Sequence, residues 1–303
     1  MAEIGRTLHS GGYRFVAVTP TTHQRVLARG GLGTTLKDIF GWNKLFCSGA
    51  LDDSVMTLLR QAELLSAEGG TYRAKIRFAT IGGLLFAHSG FPTTAHDAVF
   101  FGPDSYRFAR LIESALGDLL PRGPLHVVDI GCGSGVGGIC ASRLLAPGSE
   151  IVLSDINQGA LDFAKVNAAL AGVPVTTVLS DVLGAIDGAP DIVIANPPYL
   201  VDAEARLYRH GGGSLGTALA ERILEEALER LKPGGRVVLY TGSPIIEGTD
   251  VFFQSIQTVL QLQACQFRYR EIDPDVFGEE LEKPAYGRVD RIAAVGLTAI
   301  KRG

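Results

Sequence analysis

From Leu125 onward the chain alternates between two apolar periodicities, one suited to strands and one to helices. "LHVVDI" (125–130), "IVLSDI" (151–156), "PVTTVLSD" (174–181), "DIVIAN" (191–196) and "RVVLYTG" (236–242) are short, β-branched runs that predict strands. Between them, "GVGGICASRLLA" (135–146), "NQGALDFAKVNAALAG" (157–172) and "LGTALAERILEEALERL" (215–231) repeat their apolar residues at helical spacing. Asn157 stands where it can cap the second of these helices, and "KPGG" (232–235) is a stop signal for the third. A further helix, "DVFFQSIQTVLQL" (250–262), is followed by two consecutive strands, "ACQFRYREI" (264–272) and "VDRIAAVGLTAIKR" (289–302). Strands that alternate with helices predict a doubly wound α/β domain, its mostly parallel sheet covered on both faces. The last two strands predict an antiparallel hairpin at one edge.

Residues 1–98 lack that rhythm and predict a smaller α+β domain, set before a Rossmann-like domain over 99–303. "LDDSVMTLLRQAELLSAEGG" (51–70) predicts a helix, and "TYRAKIRFATIGGLLFAHSG" (71–90) predicts two short strands around Gly82-Gly83, a winged-helix-like order. "FPTTAHDAVFFGPDSYRF" (91–108) reads as a linker entering a helix near Asp104. In "TYRAKIRF" a strand would put Arg73, Lys75 and Arg77 on one face and apolar residues on the other. Such a ribbon suits contact with phosphates or a charged edge that deters aggregation.

Composition narrows the classes. With 303 residues and 46% hydrophobic content the chain can bury a sizeable core. No apolar run approaches the ~18–20 residues of a membrane span, and the opening "MAEIGRTLHSGGYRF" has no apolar signal core. Cys47, Cys132, Cys140 and Cys265 show no C-x-x-C spacing, which implies a reducing cytoplasm and neither a disulfide framework nor a zinc knuckle. His9, His23, His88, His96, His126 and His210 show no metal spacing, so no metal is expected. The net charge of -4 divides unevenly: residues 1–110 carry 12 Lys+Arg against 8 Asp+Glu, and the remainder 16 against 24. A polyanionic partner would therefore meet the N-terminal part first.

"VVDIGCGSGVGG" (127–138) places Asp129 at a strand end, followed by Gly131, Gly133 and Gly135 at every second position. Glycines there let the backbone turn sharply and approach a ligand, in the crevice where open α/β sheets bind them. Gly133, Gly135 and Gly138 also fit the dinucleotide fingerprint, with Asp155 20 residues beyond Gly135. The full pattern, D-x-G-x-G-x-G, resembles the first motif of class I S-adenosylmethionine-dependent methyltransferases. In that family the first aspartate helps hold the methionine end of the cofactor. The acidic residue after the second strand accepts from both ribose hydroxyls, and the residue after the third meets the adenine amino group. By this resemblance Asp129, Asp155 and Asp181 take those places, with Ile156 and Val182 beside the last two. A carboxylate suits a diol because it accepts at two oxygens and donates from neither.

"NPPY" (196–199) ends the fourth strand and matches the [ND]-P-P-[YFW] motif of methyltransferases that modify planar nitrogen. Such a nitrogen is a poor nucleophile because its lone pair is delocalised. Asn196 offers a side-chain carbonyl and Pro197 a backbone carbonyl to its two N–H donors. The prolines stiffen the loop, and Tyr199 can stack on a flat group.

The region from Val99 resembles the protein-(glutamine-N5) methyltransferases that modify release factors, together with their nucleic-acid-modifying relatives in the small-domain group. "VFFGPDSYRFARLIESAL" (99–116) is similar to their segment that closes over the cofactor, which implies that Phe101, Pro103, Asp104 and Ser105 line its pocket. "RHGGGSLGTALAERIL" (209–224) resembles the glycine-rich stretch after the clamp, although "VDAEARLYRHGGG" (201–213) lacks the acidic Glu-Pro segment of the glutamine group. The resemblance implies a cytoplasmic N-methyltransferase using S-adenosylmethionine. Asn196, Pro197 and Tyr199 would act on the acceptor, and Asn196 would also touch the cofactor. The first-ranked acceptor is a glutamine amide in a protein partner. An exocyclic base amine in ribosomal or transfer RNA is the alternative, and a small biosynthetic molecule the third.

Overall fold

The computed structural model describes residues 1–117 and 123–302. Helices α1 (Ala2–Ser10), α2 (Pro20–Leu27) and α3 (Asp53–Gln61) precede two antiparallel ribbons, β1 (Leu65–Glu68) with β2 (Thr71–Ala74) and β3 (Ile76–Ile81) with β4 (Leu84–Ser89). Helix α4 (Pro103–Leu116) then leads into β5 (His126–Ile130), α5 (Val136–Ser142), β6 (Glu150–Asp155), α6 (Gln158–Ala171), β7 (Thr176–Leu179), β8 (Ile192–Ala195) and α7 (Ala218–Arg230). The chain continues through β9 (Arg236–Ile246), β10 (Thr249–Asp250), α8 (Val251–Leu262), β11 (Gln266–Asp273) and β12 (Arg291–Ile300).

The main sheet runs β11-β12-β9-β8-β5-β6-β7, with β10 paired to β9. The pairs β9–β8, β8–β5, β5–β6 and β6–β7 are parallel, whereas β12 is antiparallel to both β9 and β11. The doubly wound domain and its antiparallel hairpin are therefore as the periodicity implied. Central strands such as β8 are buried at every position (Ile192, Val193, Ile194, Ala195) because helices cover both faces. Each fully buried aliphatic side chain of this kind contributes roughly 1.5–3 kcal/mol. Strand order reverses at β5, which opens a crevice at the carboxyl ends of β5, β6 and β8. Asn157 caps α6, its Oδ1 accepting from Gly159 N–H at 2.9 Å.

The N-terminal segment differs more from its sequence reading. The helix expected over 51–70 stops at Gln61, and residues 65–68 form a strand instead. Ribbon pairing supplies that strand with partners in 71–74, outweighing its helix-compatible composition. The hairpin at Gly82-Gly83 forms as expected, but there are two ribbons rather than one, because pairing breaks at Lys75.

That break also overturns the proposed cationic face. Arg77 is only 4% exposed; its Nε donates to the Gly41 carbonyl at 3.0 Å and its guanidinium lies 3.4 Å from His23 Nδ1. Arg73 turns to the Asn43 carbonyl at 2.7 Å. Two of the three cations thus support the interior of the N-terminal segment and offer no ribbon for phosphates.

This segment packs directly on the sheet domain. Ala79, Ile81 and Phe86 share a core cluster with Phe101, Val136 and Ile139. Asn167 of α6 exchanges two hydrogen bonds with the backbone of Ala87, at 2.7 and 2.9 Å. Tyr106 of α4 accepts from Ala17 N–H at 2.8 Å. No helix among the described residues is long and apolar enough to cross a membrane.

Candidate active site

The crevice at the carboxyl ends of the strands is one open cavity, whose lining residues form two groups or lobes, one from successive strand ends and one from loops. The first is floored by the β5–α5 turn, where Gly131, Gly133 and Gly135 hold φ of 62°, 53° and 79°, a left-handed conformation that explains the spaced glycines. Gly131 and Gly133 line the cavity, together with Asp155, Ile156, Asp181, Val182 and Ser105. Asp155 is buried and fixes the turn: its Oδ2 accepts from Gly133 N–H and its Oδ1 from Asn157 N–H, both at 2.9 Å. Each oxygen keeps a lone pair, which leaves two acceptor sites for a diol. Burial raises the Asp155 pKa, and the N–H groups of Asn157, Gly133 and Ile156 pull it back. Asp181 sits at the rim, paired with Arg222 at 2.9 and 3.0 Å. Both partners are exposed, so the pair is a weak competitor for any ligand there. Val182 is held at φ 47°, uncommon for a β-branched residue.

Four residues expected at the cofactor do not line this cavity. Asp129 is 1% exposed and lies beneath the turn, its Oδ2 accepting from Gly138 N–H at 2.8 Å. Burial pushes its carboxyl up to about 7. Gly135 is enclosed by Ile139, Ala164 and Leu153 and serves the turn only. Phe101 faces the N-terminal segment, stacked on His88 at 5.1 Å, while its neighbour Phe100 faces the cavity. Pro103 begins α4 and is likewise outside the lining. The one-residue exchange between Phe100 and Phe101 is a matter of strand-like alternation, which puts adjacent side chains on opposite sides.

The second lobe of lining residues includes Asn196. The Asn196 side chain and the Pro197 carbonyl line it or border it, and neither makes a hydrogen bond among the described residues. Two polar acceptors at a cavity wall without internal partners are groups reserved for something that enters. The loop that carries them is stiffened from behind. Gly211 and Gly216 approach it so closely that a Cβ on either would fall 1.9 to 2.7 Å from backbone atoms of Gly216, Pro198 or Tyr199. This close approach is the physical reason for the glycine-rich stretch after the clamp.

Tyr199 does not present a free stacking face. Its ring is 6% exposed, edge-on to Phe277 with centroids 5.8 Å apart, and its hydroxyl donates to Asp104 Oδ2 at 2.5 Å. Asp104 also accepts from the Tyr240 hydroxyl at 2.7 Å and from Arg107 at 3.0 Å. Burial, followed by the Asp104 charge, drives the Tyr199 pKa well above its ordinary value. Asp104 therefore ties the first turn of α4 to the clamp.

The remaining walls escaped sequence reading. Tyr208 stacks on Phe100 with centroids 5.8 Å apart and planes 11° from parallel, and its hydroxyl donates to the Thr93 carbonyl at 2.6 Å. Arg209 lies over the Phe277 ring at 5.9 Å and pairs with the buried Glu280. These residues come from the linker, from the loop after the clamp and from the β11–β12 connection, so no local spacing joins them. The unusual aromatic-basic run "LYRH" (207–210) was the only local signal. Among the described residues no group of His, Cys, Asp or Glu is arranged to hold a metal ion.

Residues 113–262 match the family model described as the methyltransferase small domain. Among curated proteins, the chain is 31% identical over 137 residues to the ribosomal RNA small subunit methyltransferase C of Serratia proteamaculans, covering 45% of this chain and 36% of that protein. It is 32% identical over 154 residues to the release factor glutamine methyltransferase of Koribacter versatilis, covering 45% of this chain and 53% of that one. The chain thus spans about half or less of the curated relatives it matches. In fold it is similar to Trm5b from Pyrococcus abyssi, with TM-score 0.52 and 17% identity over 79% of this chain and 62% of that one.

Proposed function

Taking as premise that residues 113–262 belong to the methyltransferase small domain family and use S-adenosylmethionine, we propose that the protein methylates a planar nitrogen in a macromolecule, an exocyclic amine of an RNA base. The observation that carries the nitrogen chemistry is the pair of unpartnered acceptors, Asn196 and the Pro197 carbonyl, beside the cofactor lobe. In this reading Asp155 accepts from the ribose hydroxyls with its two remaining lone pairs. Ile156 and Val182 bracket the adenine, Asp181 meets its amino edge, and Gly131 and Gly133 admit the methionine end. Asp129 acts from below by holding the turn through Gly138. The cofactor supplies an electrophilic methyl on a sulfonium. The acceptor N–H groups donate to Asn196 Oδ1 and Pro197 O, so electron density builds on the nitrogen lone pair as the new bond forms. The displaced proton leaves once the nitrogen has become cationic and acidic, which requires no strong base. Residues 1–98 act as a cover and docking domain over the same mouth.

The aromatic walls move the preference from amide to base. Phe100, Tyr208 and Phe277, with Arg209 above the last, form a chamber for a flat ring, and base–aromatic stacking is worth about 1–3 kcal/mol. A glutamine amide remains the second reading, because the same two acceptors serve a primary amide equally well. The test supplies methyl-labelled S-adenosylmethionine to extract from cells lacking the protein and divides the product by ribonuclease and protease. Label released by ribonuclease is the expected result. Label released only by protease overturns the base in favour of the amide, and no macromolecular label overturns both.

A further inference from the structure

A second concavity lies on the sheet face under α4, at the opposite end of that helix from the clamp. Its lining includes Arg236, Arg268 and Arg270, together with Ser114, Gln266 and Thr298 and the apolar Leu111, Ala115 and Ile300, and among the described residues no acidic side chain. The contrast with the rest of the domain is sharp, because residues beyond 110 carry 24 acidic against 16 basic side chains. Arg107, Arg206, Arg209, Arg222 and Arg291 are each paired with carboxylates. The side chains of Arg268 and Arg270 have no hydrogen bond or ion pair among the described residues. Arg236 anchors the floor by donating to the Ala115 carbonyl.

The strand sets the spacing. On β11, Phe267 and Tyr269 turn toward Phe253 of α8, so Gln266, Arg268 and Arg270 share the α4 face. Side chains two residues apart on a strand stand about 7 Å apart, close to the separation of neighbouring phosphates along a nucleic-acid strand. A single edge charge against aggregation would explain one arginine. It does not explain two in phosphate register in a concavity that also holds a third, with Ser114, Thr298 and Gln266 as further polar groups.

We infer that this groove binds the sugar-phosphate backbone of the RNA whose base enters the clamp, with Arg268 and Arg270 each taking one phosphate. This deepens the RNA reading given above. Helix α4 spans 14 residues, about 21 Å, so a strand of a few nucleotides reaches from the groove to the mouth. The groove replaces the Arg73-Lys75-Arg77 ribbon as the cationic contact.

The test measures fluorescence anisotropy of a labelled unstructured RNA oligonucleotide with the full chain, across a salt series, without methyl transfer. Arg268→Ala with Arg270→Ala is compared with Arg25→Ala and Arg29→Ala, which removes two exposed charges from the N-terminal segment. The groove variant is expected to bind roughly ten-fold more weakly. Its slope of log affinity against log salt should fall by about 1.4, or ~0.7 for each lost contact on a single strand. The control pair should shift affinity less than two-fold, and both variants should bind S-adenosylhomocysteine like the parent. Equal losses in the two variants, or no RNA binding by the parent, would overturn the groove. The labelling experiment above separates the cases: label in RNA with an unaffected groove variant discards the groove alone, and label only in protein discards the RNA acceptor itself.

Discussion

The two lobes of the cavity are built in opposite ways. The cofactor lobe is assembled from strand ends that follow one another in sequence, and each contributes a residue at a fixed place after an apolar run: Gly131 and Gly133, then Asp155, then Asp181 and Val182. The lobe proposed for the acceptor is assembled from Phe100, from Asn196 to Tyr199, from Tyr208 and Arg209, and from Phe277, which lie far apart along the chain. A ligand held by the first meets one repeating unit of the fold. A ligand held by the second meets a tertiary junction, whose walls come from loops and not from the sheet strands.

The largest expected effect separates the lobes by turnover and affinity. Asn196→Ala should lower kcat by about 10²–10³-fold, the usual consequence of removing one preorganised polar partner of the reacting group. S-adenosylhomocysteine affinity should stay within about three-fold in calorimetry. Parallel losses in both would merge the two lobes into one. The converse variant, Asp155→Ala, should weaken S-adenosylhomocysteine binding by roughly ten- to hundred-fold. A hydrogen bond to a charged group is worth about 1.5–3 kcal/mol, and the change also frees Gly133 N–H. Its kcat at saturating cofactor should change far less.

How much of this was legible follows the same division. Seven of the eight sheet strands were visible as sequence runs, the two-residue β10 was not, and the hairpin appeared as two runs with no helix between them. Gly131, Gly133, Asp155 and Asn196, named from the sequence, all line the cavity, because local backbone geometry dictates residue type at a strand end. Asp129 was named from the D-x-G-x-G-x-G resemblance, yet its burial beneath Gly138 depends on how α5 seats and no spacing reports that. Phe101 was named where Phe100 faces the cavity, because a one-residue shift in an irregular linker reverses the side-chain direction. The role of Arg77 was misread for another reason. Alternation assumes one wet face, whereas β3 is covered on both sides, by Ile39 and Phe40 of the N-terminal segment and by the sheet domain.

A subtler variant sharpens the tie between the lobes. Tyr199→Phe keeps the ring but leaves the buried Asp104 one donor short, and should lower stability by about 1–3 kcal/mol. Turnover should fall less than in Asn196→Ala. A variant with unchanged melting temperature would deny that Asp104 braces the clamp. The smallest effect concerns the N-terminal segment. Burial, then Arg77, lowers the His23 pKa from 6.5 to about 4. Between those values the unfolded chain binds more protons than the folded one, so stability present above pH 6.5 is lost as pH falls toward 4, with a slope of at most ~1.4 kcal/mol per pH unit. His23→Gln should flatten the melting temperature over that window relative to the parent, and an unchanged slope would remove His23 from the account.

The most direct measurement is a crystal structure of the full chain with S-adenosylhomocysteine. The expected map has both ribose hydroxyls at hydrogen-bond distance, about 2.7–3.2 Å, from Asp155, adenine between Ile156 and Val182, and the sulfur facing Asn196 at the entrance of the aromatic chamber. A ligand whose sulfur points away from Asn196, or whose ribose avoids Asp155, would contradict the division of the cavity into a cofactor lobe and an acceptor lobe.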